Sequence, residues 1–413
     1  MMDNDIIYHL ENSEQFWAEL GEILTQGENN QDSALNSIDV YIKFVSDFQD
    51  EYLENEKEFM QCCYKLFVSP IYRSFSDNII EHIIQLAAKK TDVKELWVLY
   101  NILFLAGWEN KKLFKQMMDV QEQKFVSKLK GHIESKDGGK LQQISIKLLF
   151  EICRVRRLSA DELDLIDELF LNHLLDLVEK TRDNEDETFN YSVIRLILSF
   201  NEQFMLAATS YEAAETIEEN SNTVLRVLKE RIGSSKTFSE NVIFMLNRTV
   251  DHHIQMLILK LLYEVFTTTE TFEYFYTNDL RVLIDVFIRE LYDLPEESEA
   301  LRHTYLRVLY PLITNTQLRQ HRYKQHQIYS LLLDLNGSSM KQFKPISPTT
   351  QRLVDRCLMS EYLTDIAPSR NCGSGIIRKP TPNALVMGMD TARNTNSSNG
   401  NGFTVEVVID GIM

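Results

Sequence analysis

Residues 266–318 read FTTTETFEYFYTNDLRVLIDVFIRELYDLPEESEALRHTYLRVLYPLITNTQL, and the spacing of their apolar side chains indicates the fold of the chain. Six of those side chains follow the i, i+3, i+4, i+7, i+8, i+11 rule, namely Leu280, Leu283, Ile284, Phe287, Ile288 and Leu291. Residues 254–265 show the same spacing. This pattern predicts amphipathic α-helices, each with one stripe to bury.

Two prolines punctuate this stretch. Pro295 is followed by Glu296 and Glu297, a pattern that predicts a helix beginning at the proline. Pro311 lies in the same predicted helix, where the missing N–H and the ring clash cost about 3 kcal/mol, so we expect a kink or break there. The inner face of this helix, predicted to be core, contains Leu301, Tyr305, Val308, Leu309 and Leu312.

Helical spacing recurs through the first 300 residues, and sustained alternation typical of a sheet is missing. Loops are expected at 27–33, 134–139, 182–187 and 218–222. So many short amphipathic helices bury their stripes most simply by stacking in pairs or triplets, which predicts an all-α, armadillo/HEAT-like α-solenoid over residues 1–365. A compact all-α bundle is the alternative.

The tail, residues 366–413, changes to Asn, Gly, Ser, Thr and Pro and is predicted to be disordered. Its segment 378–382, RKPTP, is either a weak ligand for an SH3-domain protein or a solvated linker. No apolar run is long enough to cross a membrane, and the first residues are acidic. We therefore expect a cytosolic protein without direct membrane insertion.

Charge is distributed unevenly along the chain. It holds 43 Lys and Arg against 61 Asp and Glu, a net charge of −18. Residues 302–379 have twelve basic side chains and four acids, a net charge of +8, whereas residues 380–413 have one arginine and three acids. Residues 1–301 therefore carry −24. An acidic body of this size repels nucleic acid and anionic lipid, so a protein partner is expected.

The basic segment supplies the candidate partner-binding residues. Its cations could dock an acidic protein surface and speed the encounter. The alternative is that they are ordinary solvated helix faces. The candidates are Arg302, His303, Arg307, Arg319, Arg322, Lys324, Arg352 and Arg356.

Sequence motifs for catalysis were not found: the chain has no phosphate-binding glycine loop, dinucleotide fingerprint, zinc-protease motif or nucleophile elbow. No enzyme activity, metal or cofactor is therefore expected. His252 and His253 point about 100° apart on a helix, which suggests cap or surface residues. The five cysteines lack ligand or redox spacing, so we expect reduced, mostly buried thiols.

Residues 266–318, preceded by KTFSEN at 236–241 and FMLNR at 244–248, resemble the leucine-rich domain of the WISH/DIP/SPIN family, and its fungal Dip-type members in particular. A leucine-rich part of about 189–362 is expected. The resemblance implies an armadillo-like domain that binds and activates the Arp2/3 complex without a preformed filament. Such an activator acts on actin indirectly, making linear filaments that seed branched networks at cortical endocytic patches. A noncatalytic adaptor in cortical trafficking is the alternative.

Overall fold

The computed structural model describes residues 10–26, 30–53, 55–119, 124–135, 139–184, 186–209, 222–337 and 347–366. Within these ranges the chain forms α-helices and no β-strand, which confirms the predicted all-α class. The predicted tail, including 378–382, lies outside them. The helices are α1 (Ser13–Ile23), α2 (Gln31–Tyr52), α3 (Glu56–Val68), α4 (Pro70–Lys89), α5 (Val93–Glu109), α6 (Lys112–Asp119), α7 (Lys124–Ile133), α8 (Gly139–Val155), α9 (Ala160–Asp164), α10 (Glu168–Lys180), α11 (Thr188–Ala208), α12 (Thr223–Glu230), α13 (Lys236–Arg248), α14 (His252–Thr267), α15 (Thr277–Asp293), α16 (Glu299–Asn315), α17 (Leu318–His321), α18 (Gln325–Leu335), α19 (Pro348–Leu358) and α20 (Glu361–Thr364).

An inner row of six helices forms the backbone of the fold. Helices α5, α8, α11, α14, α16 and α19 pack side by side in chain order. Neighbours in the row are parallel. Near the start of α16, His303 contacts Thr350 near the start of α19, and further along Arg356 lies over the ring of Tyr310. Similarly, Asn315 at the end of α16 donates to the carbonyl of Phe266 near the end of α14, at 2.9 Å.

An outer row covers one side of the inner row. Its helices α10, α13, α15 and α18 contact one another in chain order, and each also packs against inner helices. The apolar stripes face the space between the two rows. In this space Tyr305 of α16 meets Phe287 of α15 edge to face, with ring centroids 5.0 Å apart. Stacked helices in two rows make an α-solenoid, as predicted, rather than a compact bundle.

The predicted core residues of α16 are buried: Leu301, Tyr305, Val308, Leu309 and Leu312 are all less than 5% exposed. The cysteine prediction is confirmed for the four that the structure describes, which are free and buried, whereas Cys372 lies outside the described residues. Among the described helices, no segment has both the length and the apolar character needed to cross a bilayer.

The structure corrects two predictions about α16. The break expected as one possible effect of Pro311 does not occur, because the helix runs through the buried proline. Burial of Leu309 and Leu312 on either side of the proline holds the helix together despite one lost hydrogen bond. The helix also begins later than Pro295. That proline has extended backbone, a 3-10 turn follows at Glu296–Ser298, and Arg302 donates to the Pro295 carbonyl at 2.9 Å, which stabilises this entry.

Glycine has a packing role at one position. Gly107 of α5 lies under the ring of Phe114 of α6, and a Cβ added there would be 2.2 Å from a ring carbon. Phe114 is only 1% exposed, so it has little room to move. A side chain at position 107 would therefore displace α6 from the inner row.

We expect Gly107→Ala to lower the free energy of unfolding by about 1–3 kcal/mol, the usual cost of overpacking a core. Gly131→Ala in α7 is the matched control, because its added Cβ meets nothing within 4 Å. That change should raise stability by about 0.5–1 kcal/mol through helix propensity. Urea unfolding followed by circular dichroism measures both. Equal effects of the two variants would contradict the close approach of Phe114 to Gly107.

Candidate partner-binding face

The eight candidate residues do not form one site. Three of them, Arg319, Arg322 and Lys324, lie in and just after α17 and are paired with acids of the chain. Arg319 Nη2 lies 2.6 Å from Glu361 Oε2, and Arg322 contacts Asp365. Lys324 Nζ lies 2.9 Å from Asp285 Oδ1. These three cations therefore contribute little net positive potential to the surface.

Three other arginines are arranged differently. Arg307 lies on the outward side of α16, and Arg352 and Arg356 lie on the adjoining helix α19. Among the described residues, no carboxylate is within ion-pair distance of any of the three. Partial burial lowers the pKa of Arg307, and the neighbouring charge of Arg352 lowers it further. A guanidinium stays charged at neutral pH despite such a shift. This corner of the protein therefore holds three arginines that no acid of the described part pairs with, next to Glu299, which pairs with His303.

Two tyrosines complete this surface. The guanidinium carbon of Arg356 lies 4.1 Å from the ring centroid of Tyr310, a cation–π contact. Tyr263 of α14 is half-buried beside the same charges: burial raises its pKa, and Arg356 and Arg307 oppose that shift. We call Tyr263, Arg307, Tyr310, Arg352 and Arg356 the basic aromatic face. Tyrosine and arginine are the residues that most often dominate binding energy in protein interfaces.

The remaining two candidates are directed to neighbouring chain segments. Arg302 donates to the carbonyls of Leu294 and Pro295, both at 2.9 Å, and so fixes the turn before α16. His303 Nε2 lies 2.8 Å from Thr350 Oγ1, which joins α16 to α19. Burial lowers the pKa of His303 and the arginines around it act in the same direction, whereas Glu299, whose Oε1 lies 3.3 Å from Nε2, opposes them. Both residues support the basic aromatic face rather than present charge on it.

Sequence reasoning missed the two tyrosines. Tyr310 follows Arg307 by three residues, the spacing that places two side chains on one helix face. Tyr263 stands beside the apolar stripe of α14, next to Glu264. Both tyrosines could have been found from the sequence as aromatic residues on the polar side of a predicted helix. The approach of Tyr263 to Arg307 depends on helix stacking, which spacing alone does not give.

Comparison with known proteins identifies the family. The family model described as "SPIN90/Ldb17, leucine-rich domain" matches residues 186–328. Protein dip1 of Schizosaccharomyces pombe is 33% identical over 335 residues, which cover 76% of this chain and 84% of dip1. The chain belongs to the SPIN90/Ldb17 family. This confirms its resemblance to the WISH/DIP/SPIN family.

Other similarities are more partial or more distant. Protein LDB17 of Saccharomyces cerevisiae is 33% identical over 265 residues, which cover 62% of this chain and 50% of LDB17. Protein LDB17 of Eremothecium gossypii is 27% identical over 380 residues, covering 83% and 80%. Among solved structures, Kap121p superposes with a TM-score of 0.27 at 12% identity, covering 88% of this chain and 38% of Kap121p.

The basic aromatic face extends beyond the leucine-rich match of this SPIN90/Ldb17 member. Tyr263, Arg307 and Tyr310 lie within residues 186–328, whereas Arg352 and Arg356 follow it on α19. Helix α19 packs directly on α16, so the two parts form one surface. A fragment that ends with the matched region would lack two of the three unpaired arginines.

A second polar cluster lies where α8 and α14 approach each other beside α11. The rings of Phe150 and His253 have centroids 6.5 Å apart, and Lys260 of α14 pairs with Glu202 of α11. His253 is half-buried, and its Nε2 has no hydrogen-bond partner among the described residues. Asp251 caps α14, so neither histidine is the cap; His252 is exposed, as interpreted, whereas His253 is partly buried.

Burial lowers the pKa of His253 below its usual range, with Arg154 and Lys260 adding to the effect and Glu202 and Asp251 opposing it. Because the unfolded chain binds this proton more readily, the contribution of His253 to stability is lost as pH falls through about 6.5. We therefore expect the free energy of unfolding to fall between pH 7.5 and 6. His253→Gln should reduce that dependence.

Urea unfolding at the two pH values measures this effect. His252→Gln is the matched control, because His252 is exposed on the same helical turn. It should retain the pH dependence of the parent protein. A His253→Gln variant with the parent's full dependence would show that this histidine does not destabilise the fold on protonation.

Proposed function

We propose that this protein binds the Arp2/3 complex and activates it without a preformed actin filament. The linear filaments that result would seed branched networks at cortical endocytic patches. The resemblance in the sequence implied this activity, and membership of the SPIN90/Ldb17 family supports the proposal. The structural observation that supports it is the basic aromatic face, with three arginines and no carboxylate paired to them among the described residues.

The proposed mechanism is a shift in conformational population, not catalysis. A complex that exchanges between inactive and active arrangements moves toward the one that its partner binds better, by the difference in affinity. A stacked helical surface suits this task, because its helices are fixed by packing before the partner arrives. Little conformational entropy is then lost on binding. No chemical step and no cofactor are part of the proposal.

Charge separation favours a particular approach of the partner. Residues 1–301 carry −24, whereas residues 302–379 carry +8. Because the negative charge of residues 1–301 repels an acidic partner, such a partner is steered toward the end of the solenoid that holds α16 and α19. We therefore propose that the surface contacted on the complex is acidic. Binding should then be faster and tighter at low ionic strength.

Replacing Arg307, Arg352 and Arg356 together by Gln should weaken binding to the complex at least tenfold at low salt, because no acid of the described part pairs with these three charges. The matched control replaces Arg319, Arg322 and Lys324 by Gln. It changes net charge equally but removes cations that are already paired. Its affinity should stay within about threefold of the parent, since exposed pairs contribute little. Sedimentation or fluorescence anisotropy with purified complex measures both variants.

Equal weakening by the two triple variants would mean that only net charge matters, and the basic aromatic face would not be the docking site. Circular dichroism and thermal unfolding show whether each variant is folded. Helix α19 needs this check most, because Arg356 packs on Tyr310.

Activation is tested by polymerisation of fluorescent actin with purified Arp2/3 complex and this protein, without filament seeds or another promoter. The lag should disappear only when both proteins are present, and the filaments should be unbranched. An unchanged lag with tight binding would overturn activation and favour the adaptor alternative. Absence of binding would contradict both functions.

A further inference from the structure

Each of two Ser-Pro pairs in this fold stands at the start of a helix. Ser69 and Ser347 are the N-cap residues of α4 and α19, and a proline follows each at the first helical position. Ser69 is only 5% exposed. Its hydroxyl donates to the Leu66 carbonyl at 2.6 Å and accepts from the Tyr72 N–H at 3.3 Å. Ser69 is therefore fully used as a structural cap.

Ser347 differs in each of these respects. It is partly exposed, and Pro348 after it is exposed. Its side chain makes no capping hydrogen bond. The backbone at Ser347 is extended, with φ −56° and ψ 133°, and its carbonyl accepts the first helical bond from Gln351 at 3.0 Å. Among the described residues this hydroxyl has no hydrogen-bond partner, and the extended Ser-Pro dipeptide is partly exposed.

Several basic side chains and one acid lie near the start of α19: His303 Nε2 is 3.3 Å from Glu299 Oε1, and the charges of Arg302, Arg307 and Arg352 act on the same histidine. Thr350, three residues after Ser347, donates to or accepts from His303 Nε2 at 2.8 Å. Ser347 is the N-cap of the helix that holds Thr350 in its first turn, so a group on Ser347 lies at the same end of α19 as His303. The charge of Arg352 reaches the same histidine and also Arg307. Ser347 is therefore at the border of the basic aromatic face.

We propose that Ser347 is a phosphorylation site for a proline-directed protein kinase and that the phosphate weakens docking of the acidic partner on the basic aromatic face. The regulatory part rests on the proposed function. In the transfer, Ser347 Oγ attacks the γ-phosphorus of ATP bound to the kinase. The Oγ–P bond forms, the bond from that phosphorus to the ADP oxygen breaks, ADP leaves, and a carboxylate of the kinase accepts the hydroxyl proton.

The expected effect follows from charge. A phosphoserine adds about −1.5 to −2 charges at neutral pH and three acceptor oxygens that suit arginine. Placed here, it compensates the positive charge of Arg352 and repels acidic groups of the partner. Ser69 would not be modified in the folded protein, because its hydroxyl is buried and bonded.

The experiment uses the full chain with Thr381→Ala, which removes the Thr-Pro pair at 381–382. The protein is treated with a cyclin-dependent kinase and Mg²⁺-ATP, and phosphate is located by intact mass and peptide mapping. We expect one phosphate on Ser347 and none on Ser69. Affinity for the Arp2/3 complex should fall about tenfold at low salt, and the difference should shrink as salt rises. Ser347→Ala should take up no phosphate at this site and bind normally.

A second readout does not need the partner. Phosphate beside His303 should raise the pKa of that imidazole, measured by NMR titration in the phosphorylated and unphosphorylated protein. No phosphate on Ser347, while a peptide spanning residues 341–353 is modified under the same conditions, would overturn the site. Phosphorylation without loss of affinity would overturn the regulatory effect. If the unmodified chain does not bind the complex, the proposed function and that effect both fail, and mass and titration still decide the site.

Discussion

Each inner helix of this protein buries its apolar stripe against its neighbours, and the stacking of helices in two rows follows from that requirement. The apolar stripe of a helix such as α14 or α16 stays exposed to water unless another helix packs on it. Stacking supplies that helix, and it also lines up the polar sides of successive helices. Tyr263, Arg307 and Arg356 come from three helices, yet they meet because the core beneath them sets the spacing and direction of those helices.

The same order determines which charges are available to a partner. Around α17 the chain brings Asp285, Glu361 and Asp365 next to its cations, so the charges compensate locally. On α16 and α19 no acid of the described part pairs with Arg307, Arg352 or Arg356, and a tyrosine ring lies beside the guanidinium group of Arg356. Two basic segments that look equivalent in the sequence are therefore different surfaces in the fold.

Helical class, stacking and the core of α16 were predictable, because burial of an i, i+3, i+4 stripe is a local property of the sequence. The sequence indicated which segment of the chain is basic, but not where its charges lie on the surface or which acids they pair with. Pairing of Lys324 with Asp285 joins residues 39 apart, and the contact between His303 and Thr350 spans 47 residues. Spacing rules do not give such contacts. Pro311 shows a related limit: the cost of a proline in a helix is known, but the burial that offsets it comes from neighbouring helices.

Parallel stacking also gives the basic aromatic face a fixed step. Packed helices lie roughly 8–10 Å apart, so a segment that crosses α14, α16 and α19 meets a new helix at that interval. At a rise of about 1.5 Å per residue, one step corresponds to roughly six residues of a crossing α-helix, or about three of an extended chain. A partner segment that docks on this face as proposed would therefore need acidic groups at that repeat, and a segment with the same charge but another repeat would contact only one of the helices at a time.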